Sequence, residues 1–155
     1  MTKRLAAELE GIRVEVPSNI PVMLIREIDD SRRVIPIYIG EAEASSISVA
    51  LSGVVPDRPL THDLMLNTIS EMGGEVVMVV VTDVKEHTYF ANIHIEVDGA
   101  ERVISARPSD AIALAVRAEV PVFVESDLMD KVGKAAVTAE ESDEEEEEVV
   151  IEGTV

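Results

Sequence analysis

Acid, imidazole and guanidinium side chains stand at three bends of this sequence: Gly40-Glu41-Ala42-Glu43, Arg58-Pro59-Leu60-Thr61-His62-Asp63 and Ala106-Arg107-Pro108-Ser109-Asp110. Each bend lies at or just inside the start of a predicted helix. These residue types suit phosphodiester chemistry, which needs an activated water, stabilised charge on the phosphoryl oxygens and help for the leaving oxygen. Glu41, Glu43, Asp63 and Asp110 offer oxygen ligands for Mg2+ or Mn2+. His62 offers a general base, and Arg58, Arg107 and Ser109 offer contacts to substrate.

Each of these residues also has a structural explanation. An acid in the first turn, as at Asp63 or Asp110, is favoured by the helix dipole, and Pro108-Ser109-Asp110 is a standard helix start. Arg107 can simply pair with a carboxylate, and a first-turn His62 can be solvated. Glu41 and Glu43 are two positions apart and share no helical face, although at a strand-to-helix corner both can turn toward one ion. His94 and Glu96 fit a partly exposed sheet face. No P-loop, dinucleotide fingerprint, zinc-protease helix or serine elbow occurs.

The bends act together only if the chain folds them onto a common cleft. Strands are predicted at Leu9 to Val16, Pro21 to Ile28 and Val34 to Ile39, followed by a helix from Glu41 to Leu51 that ends at Gly53. Thr61 reads as an N-cap, and Leu64, Met65, Thr68, Ile69 and Met72 give helical spacing up to Gly73-Gly74. Glu75 to Val84 is apolar on both faces and reads as a central strand. Thr88 to Val97 alternates, and Asp98-Gly99 marks a hairpin into Glu101 to Ser105. A helix from Ser109 to Ala118, a strand at Pro121 to Val124 and one helical turn at Leu128 to Val132 complete the core.

This order gives an α+β fold, a mainly antiparallel or mixed sheet with three helices packed on it. Glu43 to Pro56 and Pro108 to Pro121 match at an offset of 65 residues, with Ile47/Ile112, Ala50/Ala115, Val55/Val120 and Pro56/Pro121 identical in register. That register raises the idea of a duplicated strand-turn-helix unit, although two ordinary buried helices explain it equally.

The chain has 155 residues, no cysteine and a net charge of −18. Disulfides, thiolate metal sites and cysteine nucleophiles are excluded. The Met1-Thr2-Lys3-Arg4 start is not followed by an apolar signal segment and no run is long enough to span a membrane, so a cytoplasmic protein with no membrane partner is expected. Residues 1–133 read as one domain and 134–155 as an acidic, disordered tail. Glu144 to Glu148 either solubilises the protein or mimics nucleic acid over the Arg58/Arg107 region. The acidic balance argues against broad nucleic-acid affinity, so any phosphate site must be local.

Four motifs in order carry a family resemblance: Pro36-Ile37-Tyr38-Ile39-Gly40-Glu41-Ala42-Glu43-Ala44, Arg58 to Met65, Tyr89-Phe90-Ala91 and Ala106 to Ala115. Together they resemble the bifunctional nuclease (BFN) domain family over roughly Leu9 to Val124. Ala42 and Tyr38 replace a common aromatic residue and a common Trp, which bears on packing. The resemblance implies an α+β, self-associating protein that cleaves DNA and RNA. Combined with the bends, it points to a homo-oligomeric nuclease using a divalent ion near Glu41, His62, Asp63 and Asp110, with Arg107 on phosphate. The alternative is a non-catalytic ligand-binding or regulatory module, favoured by the acidic surface and by the scarcity of aromatics, Tyr38, Tyr89, Phe90 and Phe123.

Overall fold

Alternating and continuous apolar runs form two antiparallel meanders in the computed structural model, which describes residues 3–135. The first comprises β1 (Arg4–Glu15), β2 (Ile20–Glu27) and β3 (Val34–Tyr38). The second comprises β4 (Gly74–Lys85), β5 (Thr88–Val97) and β6 (Ala100–Ala106). Strand β7 (Val122–Glu125) joins them, antiparallel to β1 and parallel to β4, giving the order β3-β2-β1-β7-β4-β5-β6. Asp98 and Gly99 both take positive φ, 51° and 74°, which matches the twist that a two-residue hairpin requires.

Helix α1 (Glu41–Leu51) follows the first meander, then α2 (Thr61–Glu71); α3 (Pro108–Ala118) follows the second, and α4 (Ser126–Val132) ends the described chain. The fold is α+β with a mixed sheet, but it carries four helices rather than three. The segment expected to add a single turn is a full α4, held by buried Leu128 and Met129 and by Arg33, which bonds to Asp130 at 2.8 Å and to the buried Glu27 at 2.7 Å. Each meander runs into a helix, yet this shared order does not by itself establish duplication.

Thr61 begins α2 but does not cap it; Leu60 is the N-cap residue, and its N–H donates to Asp63 at 2.9 Å. The nearly all-apolar α3 invites cover by a second chain, but its own chain supplies that cover. Ala111, Ile112, Ala113, Leu114 and Ala115 are buried against α1, α2, β4 and β5, and the small residues permit that close approach. Doubly apolar β4 is an interior strand flanked by β7 and β5, as its sequence indicates.

The sheet curls strongly. Tyr38 of edge strand β3 and Tyr89 of β5 line one cleft although four strands separate them in the sheet, a span of roughly 24 Å if flat. Helix α4 touches both β3 and β4, closing the same side. No helix among the described residues is long and apolar enough to cross a membrane. The acidic tail lies outside the described residues from 136 onward.

Candidate functional site

The three bends converge. Arg107, the N-cap residue of α3, donates through Nε to Asp110 Oδ2 at 3.0 Å and through Nη2 to Asp110 Oδ1 at 3.2 Å. Its Nη1 donates to Glu43 Oε1 at 2.9 Å, which ties the start of α3 to the start of α1. Gly40 makes room for this, since a Cβ there would collide with the Glu43 carboxylate. Two further N–H groups of the guanidinium have no acceptor among the described residues, and the side chain is 64% exposed.

From the buried side, His62 of α2 completes the set. Its Nε2 lies 2.9 Å from Asp110 Oδ1 and its Nδ1 lies 2.6 Å from Ser46 Oγ. Arg117 Nη2 donates to Ser46 Oγ at 3.1 Å, so the network assigns the Ser46 hydroxyl as donor to Nδ1 and Nε2–H as donor to Asp110. Arg117 also donates to Asp63 Oδ1 at 2.8 Å, to the Ala113 carbonyl at 3.0 Å and to the Ser46 carbonyl at 3.1 Å. One buried guanidinium thus clamps α1, α2 and α3 behind the site.

Glu43, His62, Asp63, Arg107 and Asp110 therefore belong to one hydrogen-bonded network, with Asp63 facing Arg117 on its inner side. The other candidates stand apart. Glu41 is exposed at the first residue of α1 and, two positions from Glu43, points around the helix from it. Arg58 is exposed in the α1–α2 loop with no hydrogen bond or ion pair among the described residues. Ser109 is buried and lines a cleft beside Arg107. Glu96 is exposed as expected, whereas His94 is not: it is 2% exposed, bonded through Nδ1 to Glu101 at 2.7 Å, with no partner for Nε2 among the described residues.

The expected ligand set of Glu41, Glu43, Asp63 and Asp110 does not assemble into a cage. Among the described residues, no three His, Cys, Asp or Glu side chains are grouped to hold a metal ion. The physical reason is that Arg117 and the Leu60 N–H take up Asp63, while the helical offset turns Glu41 away. Glu43 and Asp110 remain as two carboxylates sharing Arg107.

Burial pushes the Asp110 carboxyl up, but hydrogen bonds from His62 and Arg107 outweigh it and hold Asp110 below the ordinary 3.8. At Asp63, burial is likewise outweighed by Arg117 and the Leu60 N–H. Glu43 is lowered from 4.5 by its own backbone N–H and by Arg107. A carboxyl with a lower pKa folded than unfolded adds stability that is complete above the unfolded value and disappears as pH falls through the folded one. Thermal unfolding measured against pH should therefore show stability steady above pH 4.5, then declining below it, with a shallower decline in Asp110→Asn.

Sequence reasoning missed Ser46 and Arg117. Ser46 sits in an Ala/Ser-rich helix with nothing to mark it, but Arg117 left a signal as the one charge in the last turn of an otherwise apolar helix.

Comparison with known proteins adds the family. Residues 23–136 match the bifunctional nuclease domain. The uncharacterized protein Rv1829 of Mycobacterium tuberculosis is 41% identical over 145 residues, 94% of this chain and 85% of that protein. Bifunctional nuclease 1 of Arabidopsis thaliana is 31% identical over 111 residues, 70% of this chain, and bifunctional nuclease 2 of Oryza sativa subsp. japonica is 31% identical over 122 residues, 77% of this chain. The matched region is 34% and 38% of the length of those two plant proteins. With its bends joined around Arg107 and most of its length under this match, the chain belongs to the bifunctional nuclease domain family.

Proposed function

We propose that the protein hydrolyses phosphodiester bonds of DNA or RNA at the Glu43–Arg107–Asp110–His62 network. The observation that carries this reading is the placement of Arg107, exposed toward solvent while bridging two carboxylates, one of them held from behind by an imidazole. A phosphodiester docking on the two unused N–H groups competes with Glu43 and Asp110 for the guanidinium. Asp110 then loses part of the cation that suppresses its basicity, while His62 Nε2–H still orients it. A water between Asp110 and phosphorus gives its proton to Asp110 as its oxygen bonds to phosphorus and the ester oxygen departs, protonated by solvent. Arg107 stays on the charge that develops on the phosphoryl oxygens.

Glu43 and Asp110 are also the residues that would hold Mg2+ or Mn2+, completed by substrate oxygens and water. Such an ion supplies further neutralisation of phosphoryl charge. Homo-oligomerisation is part of the proposal and is supported by edge strand β6, where Val103 and Ile104 are about half exposed. A cytoplasmic site of action stays with it as an expectation.

A second reading, a non-catalytic binding module, draws on the same geometry, because Asp63 and Asp110 are already satisfied by arginines and are weak bases at rest. Cleavage of single-stranded RNA and DNA, by protein purified to constant specific activity and with and without a chelator, separates the two. Arg107→Ala should cut kcat/KM about 10- to 1000-fold while the fold is retained. Nuclease activity that ignores this substitution, or that fractionates away from the protein, removes the hydrolase reading.

A further inference from the structure

The exposed side of Arg107 opens into a cleft of about 390 Å3 whose walls include Tyr38, Tyr89, His87 and Ser109. A second cavity, of about 650 Å3, shares Tyr38, His87 and Tyr89 and ends at Lys131 and Lys134. The two cavities thus form one track with both tyrosines of the chain in its middle and cations at either end. In a chain with 31 acidic residues against 13 basic, Arg107, Lys131 and Lys134 meet there with Glu86 as the single acid among the lining residues.

Tyr89 packs half-buried against the core, but Tyr38 has no such role. Tyr38 is 60% exposed, a large aromatic surface left in water, with Glu15 near its hydroxyl. The hairpin tip forming one wall is strained: Glu86 and His87 take φ of 48° and 66°, a region where turns ordinarily use Asn and Gly. An exposed Tyr38 ring and a half-buried Tyr89 lining one cleft between separated cations match a ligand with flat apolar faces strung on an anionic backbone.

We infer that the Tyr38–Tyr89 cleft seats unpaired bases of single-stranded nucleic acid, with Lys131 and Lys134 on the backbone at one end and Arg107 at the scissile phosphate at the other. The inference rests on the hydrolase reading above and adds a preference for single strands. A duplex hides its base faces in the stack, so the tyrosines gain nothing from it. Stacking needs only a π-face, so the track tolerates any base sequence.

The test is equilibrium binding of the full chain, in chelator and low salt, to a short thymidine oligonucleotide, an abasic oligonucleotide of equal length and a duplex. Tyr38→Ala should weaken thymidine-oligonucleotide binding about 5- to 150-fold and leave abasic binding unchanged, and Tyr38→Phe should match the parent. Lys131→Gln should weaken both single strands alike and reduce the salt slope by about 1. Equal affinity of parent and Tyr38→Ala for the thymidine strand, or equal losses on both strands, overturns the base seat even if the parent cleaves normally. A parent that neither binds nor cleaves either strand overturns this inference together with the hydrolase reading.

Discussion

Replacing Arg117 with alanine is expected to lower the free energy of unfolding by about 3 kcal/mol, the low end of the range for breaking a buried ion pair, since Asp63 keeps 27% side-chain exposure. The side chain is 7% exposed and donates to Asp63, to the Ala113 carbonyl and to two oxygens of Ser46. Truncation leaves Asp63 with only the Leu60 N–H and removes the polar tie between the end of α3 and α1 and α2, which then meet there through apolar packing alone. Lysine keeps the charge but not the planar fork that serves four acceptors at once, so Arg117→Lys should recover only part of the loss. Urea unfolding reads this as a fall in midpoint at constant slope. A change under about 1 kcal/mol would show that the clamp is ornamental, and pairing the variant with Asp63→Ala isolates the coupling between them.

Asp110→Asn is expected to reduce nucleolytic kcat about 100- to 10,000-fold, the usual span for losing a positioned acid–base group, and His62→Ala, which removes only the group that positions it, is expected to reduce kcat by less. Asp110 touches the attacking water in the proposed reaction, and His62 positions Asp110 from a buried site. Asparagine keeps the shape at position 110 and removes the proton acceptor. Asp63→Asn differs in kind, because its contacts are to Arg117 and the Leu60 N–H, so its expected cost is stability rather than turnover. Circular dichroism and unfolding curves on all three variants separate chemistry from folding. Retention of full turnover by folded His62→Ala and Asp110→Asn would remove these residues from the reaction.

Local chemistry made much of this architecture legible in the sequence. The bounds of α1 follow from two acids in its first turn and the stop at Gly53, and those of β5 from clean alternation between Thr88 and Val97. Residue types marked most of the bends as candidates, because their charges stand where helices begin, but whether the bends meet was not readable from the sequence. What stayed hidden depends on long-range pairing. Arg117 reads as an ordinary last-turn cation until α1 and α2 are laid beside it. His94 reads as half-exposed because alternation says nothing about its neighbours across the ladder, Met78 and Val103, or about Glu101. Scattered aromatics argued against stacking until the curl of the sheet set Tyr38 opposite Tyr89 in one cleft.

Strand β7 has a consequence for how the protein is made. It pairs with β1 at the opposite end of the domain, and the Lys3 N–H bonds to Ser126 across 123 positions of sequence. A nascent chain still on the ribosome can form each meander early, yet the two remain unzipped, with β1 and β4 bare along one side, until nearly the whole domain has emerged. Closing so distant a pair is slow, and the waiting edges are open to pairing with neighbouring chains. The time for which those two edges stay open is therefore set by how late Val122–Glu125 arrives during translation.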